Sequence, residues 1–108
     1  MIGPGYGMEI NNGKVVTALH VAMKMNYPIV YADESKDLVV IKTGHKNKYN
    51  LRFEYSERDF LFIETVPKPG ESGKPYVVDG KVYGVIIGES GDYGIVTAFD
   101  NSIVHLLK

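Results

Sequence analysis

Three residues of this 108-residue chain have the types and the order needed to activate a hydroxyl group. His20, Asp37 and Ser72 follow one another along the sequence at intervals of 17 and 35 positions. A serine hydroxyl is a weak nucleophile unless an imidazole removes its proton, and that imidazole needs a carboxylate to fix its tautomer. The order therefore predicts a triad for acyl transfer, in which Ser72 attacks, His20 is the general base and Asp37 orients the imidazole.

The segment around Ser72 has the composition of a loop that binds a negatively charged oxygen. It reads Gly-Glu-Ser-Gly-Lys-Pro over residues 70–75, directly after a Pro-Lys-Pro run that cannot continue a central strand. Glycine allows backbone N–H groups to approach a reacting carbonyl closely. We therefore expect the N–H groups of Gly70 and Ser72 to form an oxyanion hole.

A second copy of this tetrapeptide, Gly88–Gly91, makes Ser90 a rival nucleophile. Only the Ser72 copy leads through Pro75 into a run typical of a hairpin, which favours Ser72. Each triad residue also has a structural alternative: a core histidine, an aspartate that caps a strand and a loop serine. The three in order favour the site over these alternatives, whereas His45 and His105 have no such surroundings and are interpreted as structural or surface residues.

The elements that must position these residues are mainly strands. Short runs rich in Val, Ile, Tyr, Phe and Thr are bounded by Gly, Asn, Asp, Ser or Pro, which predicts an all-β fold. The Asn12-Gly13 and Asp79-Gly80 dipeptides predict two tight hairpin turns. A helical turn is expected at 21–25, and the apolar spacing of 101–107 fits either a helix or a strand. The predicted strands are 14–17, 29–32, 38–41, 51–55, 60–65, 75–78, 81–87 and 94–99.

Composition limits the classes of function. The length fits one domain, and a formal net charge of -1 argues against nucleic acid as a partner. One basic cluster is interpreted as a solvated loop. The chain has no cysteine, which favours an intracellular setting over secretion, and no apolar run long enough to cross a membrane. We expect neither a metal nor a cofactor. The basic cluster consists of Lys42, His45, Lys46, Lys48 and Arg52.

The motifs resemble those of chymotrypsin-like serine proteases. Residues 70–75 are similar to the family's Gly-Asp-Ser-Gly-Gly-Pro segment, and a Gly-Val pair follows at 84–85. Thr-Ala-Leu-His at 17–20 resembles the Thr-Ala-Ala-His segment, and Asp-Leu-Val-Val-Ile at 37–41 resembles the family's Asp-Leu-Ala-Leu-Leu strand. Lys68-Pro69-Gly70 makes the chain most similar to the self-cleaving capsid proteases of alphaviruses.

This resemblance implies a minimal double β-barrel with very short loops, with the N-terminal barrel at about 1–55 and the C-terminal barrel at about 56–108. It also implies a serine endopeptidase of virus type that processes a polyprotein or cleaves itself, in a host cytoplasm or virion. A C-terminal strand through 103–107 would approach its own cleft. Because the chain lacks an Ile-Val-Gly-Gly start, activation by a freed N-terminus is not expected.

The resemblance further implies where a polypeptide substrate binds. The substrate would pair as an added strand along 85–88, and 94–96 would help to wall the primary pocket. Val66, near the pocket base, takes the place of a carboxylate, so an uncharged side chain is the expected preference, with Glu89 the one acid near the rim. The predicted substrate-binding residues are Val66, Val85, Ile86, Ile87, Gly88 and Gly94.

Three departures from the family pattern are present: Leu19, Glu71 and Lys74 replace a small residue, aspartate and glycine. None removes a catalytic atom. Two other classes stay open at this point. The chain could be a pseudoprotease with a structural, capsid-like role, or a small β-barrel binding module in which the order of the three residues is a coincidence.

Overall fold

Two β-sheets dominate the structure, a computed structural model that describes residues 5–10, 13–44 and 51–107. The fold is mostly β, as the composition predicts, and it includes a sheet that curls into a half-barrel. Within the described residues there are nine strands. They are β1 (Met8–Ile10), β2 (Lys14–Ala18), β3 (Ile29–Asp33), β4 (Leu38–Lys42), β5 (Arg52–Phe53), β6 (Phe60–Ile63), β7 (Pro75–Val78), β8 (Lys81–Ser90) and β9 (Tyr93–Ala98).

The first sheet carries the predicted general base and its aspartate. Its four strands lie in the order β1-β2-β4-β3, and every neighbouring pair is antiparallel. A short helix, α1 (Leu19–Ala22), follows β2 without a break, so His20 lies inside the helix and not before it. A 3-10 turn over Glu34–Lys36 joins β3 to β4 and ends at Asp37.

The second sheet carries the loop with Ser72. Its order is β5-β8-β9-β6, and β7 pairs with β8 through the hairpin predicted at Asp79-Gly80. The first two residues of β8 also pair in parallel with β5, at Arg52 and Phe53. This strand lies before residue 55, the approximate end of the first predicted barrel, yet it belongs to the second sheet.

The main core lies where residues of both sheets meet. Consecutive strand residues point to opposite faces, and in β4 this places Leu38 and Val40 in the main core while Val39 and Ile41 face a smaller cluster. Val82, Val85 and Phe99 enter the main core from the other sheet or just beyond it.

Residues 101–107 form a helix, α2 (Asn101–Leu107). The Asp100 carboxylate accepts the N–H of Ile103 at 2.8 Å and thereby holds the first turn. Ile103, Val104 and Leu107 are buried in the main core. The expected C-terminal strand near the cleft is therefore wrong, because these apolar side chains recur at helical spacing and pack inward. No helix among the described residues is long and apolar enough to cross a membrane.

Candidate active site

His20 and Asp37 are joined by main-chain and side-chain contacts. Asp37 Oδ2 accepts the Nδ1–H of His20, and Oδ1 accepts the main-chain N–H of His20 at 2.9 Å. The N–H of Leu19 donates to the carbonyl oxygen of Asp37 at 2.8 Å. Because a carboxylate accepts and does not donate, these contacts place the imidazole proton on Nδ1 and leave Nε2 able to accept one, which is the tautomer a general base needs.

The local backbone explains why Asp37 can reach the histidine. Asp37 adopts a left-handed conformation with φ of 51°, directly after the 3-10 turn. Aspartate tolerates this region better than most residues because its short side chain bonds locally. The turn thus ends β3 and points the carboxylate back along the start of α1.

Two main-chain donors of the Ser72 loop bond to no other group among the described residues. The N–H groups of Lys68, Glu71, Gly73 and Lys74 all donate within the protein. Among the described residues, those of Gly70 and Ser72 donate to none. The same loop contains two glycines with positive φ, Gly70 at 87° and Gly73 at 93°. The two donors lie on either side of Glu71, and main-chain N–H groups of this kind are the ones that stabilise a developing oxyanion.

The Glu71 side chain bonds to two other residues of this loop. Its Oε1 accepts the N–H of Lys68 at 2.6 Å, and its Oε2 accepts from Lys74 Nζ at 3.1 Å. The hydrogen bond from Lys68, followed by that from Lys74, lowers the pKa of the Glu71 carboxyl. The sequence carries one signal for this pair, a glutamate and a lysine three positions apart.

The structure brings Ser72 and the His20 region to a common neighbour, Gly5. A Cβ built on Gly5 would lie 2.5 Å from the Ser72 carbonyl oxygen and 2.8 Å from Cγ2 of Val21, the residue after His20. Among the described hydrogen bonds, none joins the Ser72 hydroxyl to His20. Ser72 and the His20 region are therefore connected through packing against Gly5. A direct hydrogen bond between Ser72 Oγ and His20 stays a prediction.

A cleft of about 170 Å³ opens beside Ser72. The loop provides one group of lining residues, and Gly88 and Glu89 provide the other. Val66 does not line this cleft, and its side chain is 42% exposed. Gly94 is buried against Thr65 instead. The residues that line the cleft are Pro67, Lys68, Pro69, Gly70, Ser72, Gly88 and Glu89.

The remaining candidates lie elsewhere or outside the described residues. Ser90 ends β8 and pairs with Tyr93 across the β8–β9 hairpin, and His105 is exposed on α2. His45, Lys46 and Lys48 of the basic cluster lie outside the described residues, as does Asn12 of the first predicted turn. Across 5–10, 13–44 and 51–107, no three His, Asp or Glu side chains gather as metal ligands do.

No protein-family model and no curated protein sequence matches this chain. Its function must therefore be inferred from the residues and geometry of the site.

Proposed function

We propose that this protein is a serine endopeptidase in which Ser72, His20 and Asp37 act as one unit. The observation that carries this proposal is the His20–Asp37 pair, in which Asp37 accepts both Nδ1–H and the main-chain N–H of the same histidine. A surface ion pair does not need this double contact, whereas a general base needs its imidazole fixed in one tautomer and one orientation. The unpaired N–H groups of Gly70 and Ser72 add a second element of the same chemistry.

We infer that the two sheets are reduced forms of the two barrels of chymotrypsin-like proteases, with His20 and Asp37 on the first and Ser72 on the second. Support comes from the separation of the three residues onto two sheets that share a core. The expected intracellular setting and the virus-type role rest on composition and resemblance alone.

The proposed mechanism is a two-step acyl transfer. Ser72 Oγ attacks the scissile carbonyl carbon while His20 Nε2 takes the hydroxyl proton. The carbonyl oxygen becomes an oxyanion that the N–H groups of Gly70 and Ser72 stabilise, by about 3–4 kcal/mol per donor. His20 then returns the proton to the leaving amine as the C–N bond breaks. Water attacks the acyl-enzyme in the same way and regenerates Ser72.

The proposed substrate edge is shorter than the sequence predicts. Val85 is buried and pairs on both sides, with Pro75 and Thr97. The N–H and C=O of Ile86 are already bonded to the Ser72 loop, at 2.9 and 2.6 Å. From Ile87 onward, the described pairing of β8 is with β9 only. We therefore place an added substrate strand along the free edge at 87–88.

The lining of the cleft bears on which substrate side chain is preferred. The cleft beside Ser72 has Lys68 and Glu89 at its lining, together with prolines and glycines. We propose an uncharged side chain as the preference, because proline and glycine make up most of the lining and a buried cation carries a desolvation cost of several kcal/mol unless Glu89 pairs with it. A dominant preference for Arg or Lys would identify Glu89 as the determinant, since Glu71 is already bonded to Lys68 and Lys74.

Hydrolysis of a peptide library tests the proposal and reports this preference in one experiment. Wild-type protein should cleave a subset of peptides, Ser72→Ala should lose that activity, and Ser90→Ala, the serine of the second Gly-Glu-Ser-Gly copy, should keep it. Adding His20→Ala to Ser72→Ala should cause little further loss, because triad residues act together. Loss of activity in Ser90→Ala but not in Ser72→Ala would overturn the assignment. Absence of cleavage in the folded wild type would favour the pseudoprotease.

A further inference from the structure

The main chain of Gly5 and Tyr6, here called the N-terminal strap, connects the Ser72 loop to the strand that leads to His20. The N–H of Tyr6 donates to the carbonyl oxygen of Ser72 at 2.7 Å. The carbonyl oxygen of Tyr6 accepts from Thr17 Oγ1 at 2.6 Å. One peptide segment thus bonds to the predicted nucleophile on one side and to β2, three residues before His20, on the other.

Two glycines make this close approach possible. A Cβ on Gly73 would overlap the carbonyl oxygen of Tyr6 and lie 2.5 Å from Thr17 Oγ1. A Cβ on Gly5 would lie 2.5 Å from the carbonyl oxygen of Ser72. A side chain at Gly5 or Gly73 would therefore not fit. The main chain of the strap contacts the main chain of the loop at two places, Gly5 against Ser72 and Tyr6 against Gly73.

The charged pair of the loop reaches the same segment. Lys74 Nζ lies 5.8 Å from the centroid of the Tyr6 ring, within the range of a cation–π contact, and it also bonds to Glu71. The strap therefore contacts the loop through its main chain at Ser72 and Gly73 and through its side chain at Lys74.

We propose that the N-terminal strap is a positioning element that sets Ser72 relative to His20, with Thr17 as its anchor. This inference rests on the proposed function. A displacement of about 1 Å between reacting groups can reduce a rate by about 100-fold, so a segment that bonds to both halves of the site controls the rate without touching the substrate. The proline-rich loop before Gly70 provides no comparable link to β2 among the described contacts.

A pair of threonines provides the test. Thr17 and Thr97 are both fully buried in strands, but only the hydroxyl of Thr17 bonds to the strap, whereas that of Thr97 has no partner in the described structure. We would compare Thr17→Val, Thr17→Ser and Thr97→Val. The readouts are the rate at which a fluorophosphonate labels Ser72, resolved into its maximal rate and its binding constant, and the hydrogen exchange of the Tyr6 amide measured by NMR.

If the strap positions Ser72, the three variants should differ in labelling rate and in exchange of the Tyr6 amide. In folded Thr17→Val, the maximal labelling rate should fall by about 10- to 100-fold with little change in the binding constant, and exchange of the Tyr6 amide should accelerate. Thr17→Ser, which keeps the hydroxyl, should label like the wild type. Thr97→Val should change neither readout. A residue that only supported the fold would alter stability and leave labelling of the folded fraction unchanged.

The outcomes separate the two proposals. If the wild type labels at Ser72 and folded Thr17→Val labels at the same rate, the positioning role is overturned and the proposed function stands. If the folded wild type does not label, the proposed function fails and the positioning role fails with it. If Thr17→Val does not fold, Gly5→Ala replaces it, because its Cβ would press on the Ser72 carbonyl oxygen; unchanged labelling there would equally overturn the role.

Discussion

Asp37 contributes to the site through its side chain and, separately, through its backbone conformation. Its side chain accepts two bonds from His20, and its backbone occupies the left-handed region at φ of 51°. Asparagine also tolerates this region, so Asp37→Asn should preserve the turn while removing the negative charge and the correct histidine tautomer. Most other substitutions would change the backbone and the chemistry together.

We expect Asp37→Asn to reduce peptide hydrolysis by about 10⁴-fold with little loss of folded protein. Asp79→Asn is the matched control, because Asp79 has the same φ of 51° in the β7–β8 turn and no contact with His20 among the described residues. Hydrolysis rates and circular dichroism measure both effects. Equal rates for Asp37→Asn and Asp79→Asn would show that the His20–Asp37 pair is structural only.

Glu71 gives the Ser72 loop a pH-dependent stability. Because its folded pKa is below the ordinary value of 4.5, the ionised carboxylate stabilises the folded state above about pH 4.5. That contribution is lost as the pH falls through the lower folded pKa. Lys68 N–H is the larger cause of the shift and Lys74 the smaller one.

Urea unfolding of wild type and Glu71→Gln at several pH values tests this contribution. The difference in unfolding free energy should be greatest near neutral pH and should vanish below the folded pKa. Lys74→Met should weaken the pH dependence without removing it, because the hydrogen bond from Lys68 remains. A difference that is constant across acidic pH would contradict the role of the Glu71 carboxylate.

At the scale of elements, β8 serves both the fold and the site. Its early residues are paired on both sides, whereas its end beyond Ile86 borders the cleft. The space around two glycines of β8 differs in the same way. A Cβ on Gly84 would overlap the carbonyl oxygen of Thr97 on β9, while a Cβ on Gly88 would meet no atom within 4 Å.

We therefore expect Gly84→Ala and Gly88→Ala to differ in kind. Gly84→Ala should destabilise the fold by about 1–3 kcal/mol, because β8 and β9 must separate. Gly88→Ala should leave the unfolding free energy nearly unchanged and raise KM for substrates with large side chains. Chemical unfolding and hydrolysis kinetics distinguish them. Equal destabilisation by the two variants, or no change in KM for Gly88→Ala, would contradict the proposed substrate edge.

The sequence predicts strands and turns that depend on neighbouring residues better than it predicts pairings between distant residues. β-Branched runs predict β2 and β4, and the Asp79-Gly80 turn predicts its hairpin, because these depend on neighbouring residues. β1 was implied by the hairpin turn predicted at Asn12-Gly13, but its bounds were not predicted, since its three residues follow a glycine-rich start and pair with β2. The parallel pairing of β5 with β8 joins residues about thirty positions apart, and no local signal predicts it.

The site, like the fold, was predicted only in part from the sequence. The His20–Asp37 contact was predicted from residue types and order, because a carboxylate beside a histidine follows from the chemistry of a general base. The strap at Gly5 and Tyr6 was not, since both of its hydrogen bonds use the N–H and C=O of Tyr6, groups that almost every residue has. Val66 was expected at the pocket base because of the resemblance, and it is not among the residues that line the cleft beside Ser72.

On the scale of the whole molecule, α2 is part of the core that unites the two sheets. Ile103 is 1% exposed within that core, whereas His105 on the same helix is exposed. Ile103→Ala should lower the unfolding free energy by about 2–5 kcal/mol, and His105→Ala should change it by less than about 0.5 kcal/mol. Chemical denaturation measures both. Equal effects of Ile103→Ala and His105→Ala on the unfolding free energy would contradict the place of α2 in the core.

Labelling by a fluorophosphonate tests most directly whether His20 activates Ser72. Mass spectrometry of the labelled wild type should locate the phosphonyl group on Ser72. The labelling rate should fall by about 10²- to 10⁴-fold in His20→Ala, the usual contribution of a general base, and should be unchanged in Ser90→Ala. Labelling at Ser90, or an equal rate in folded His20→Ala and wild type, would contradict the proposed triad.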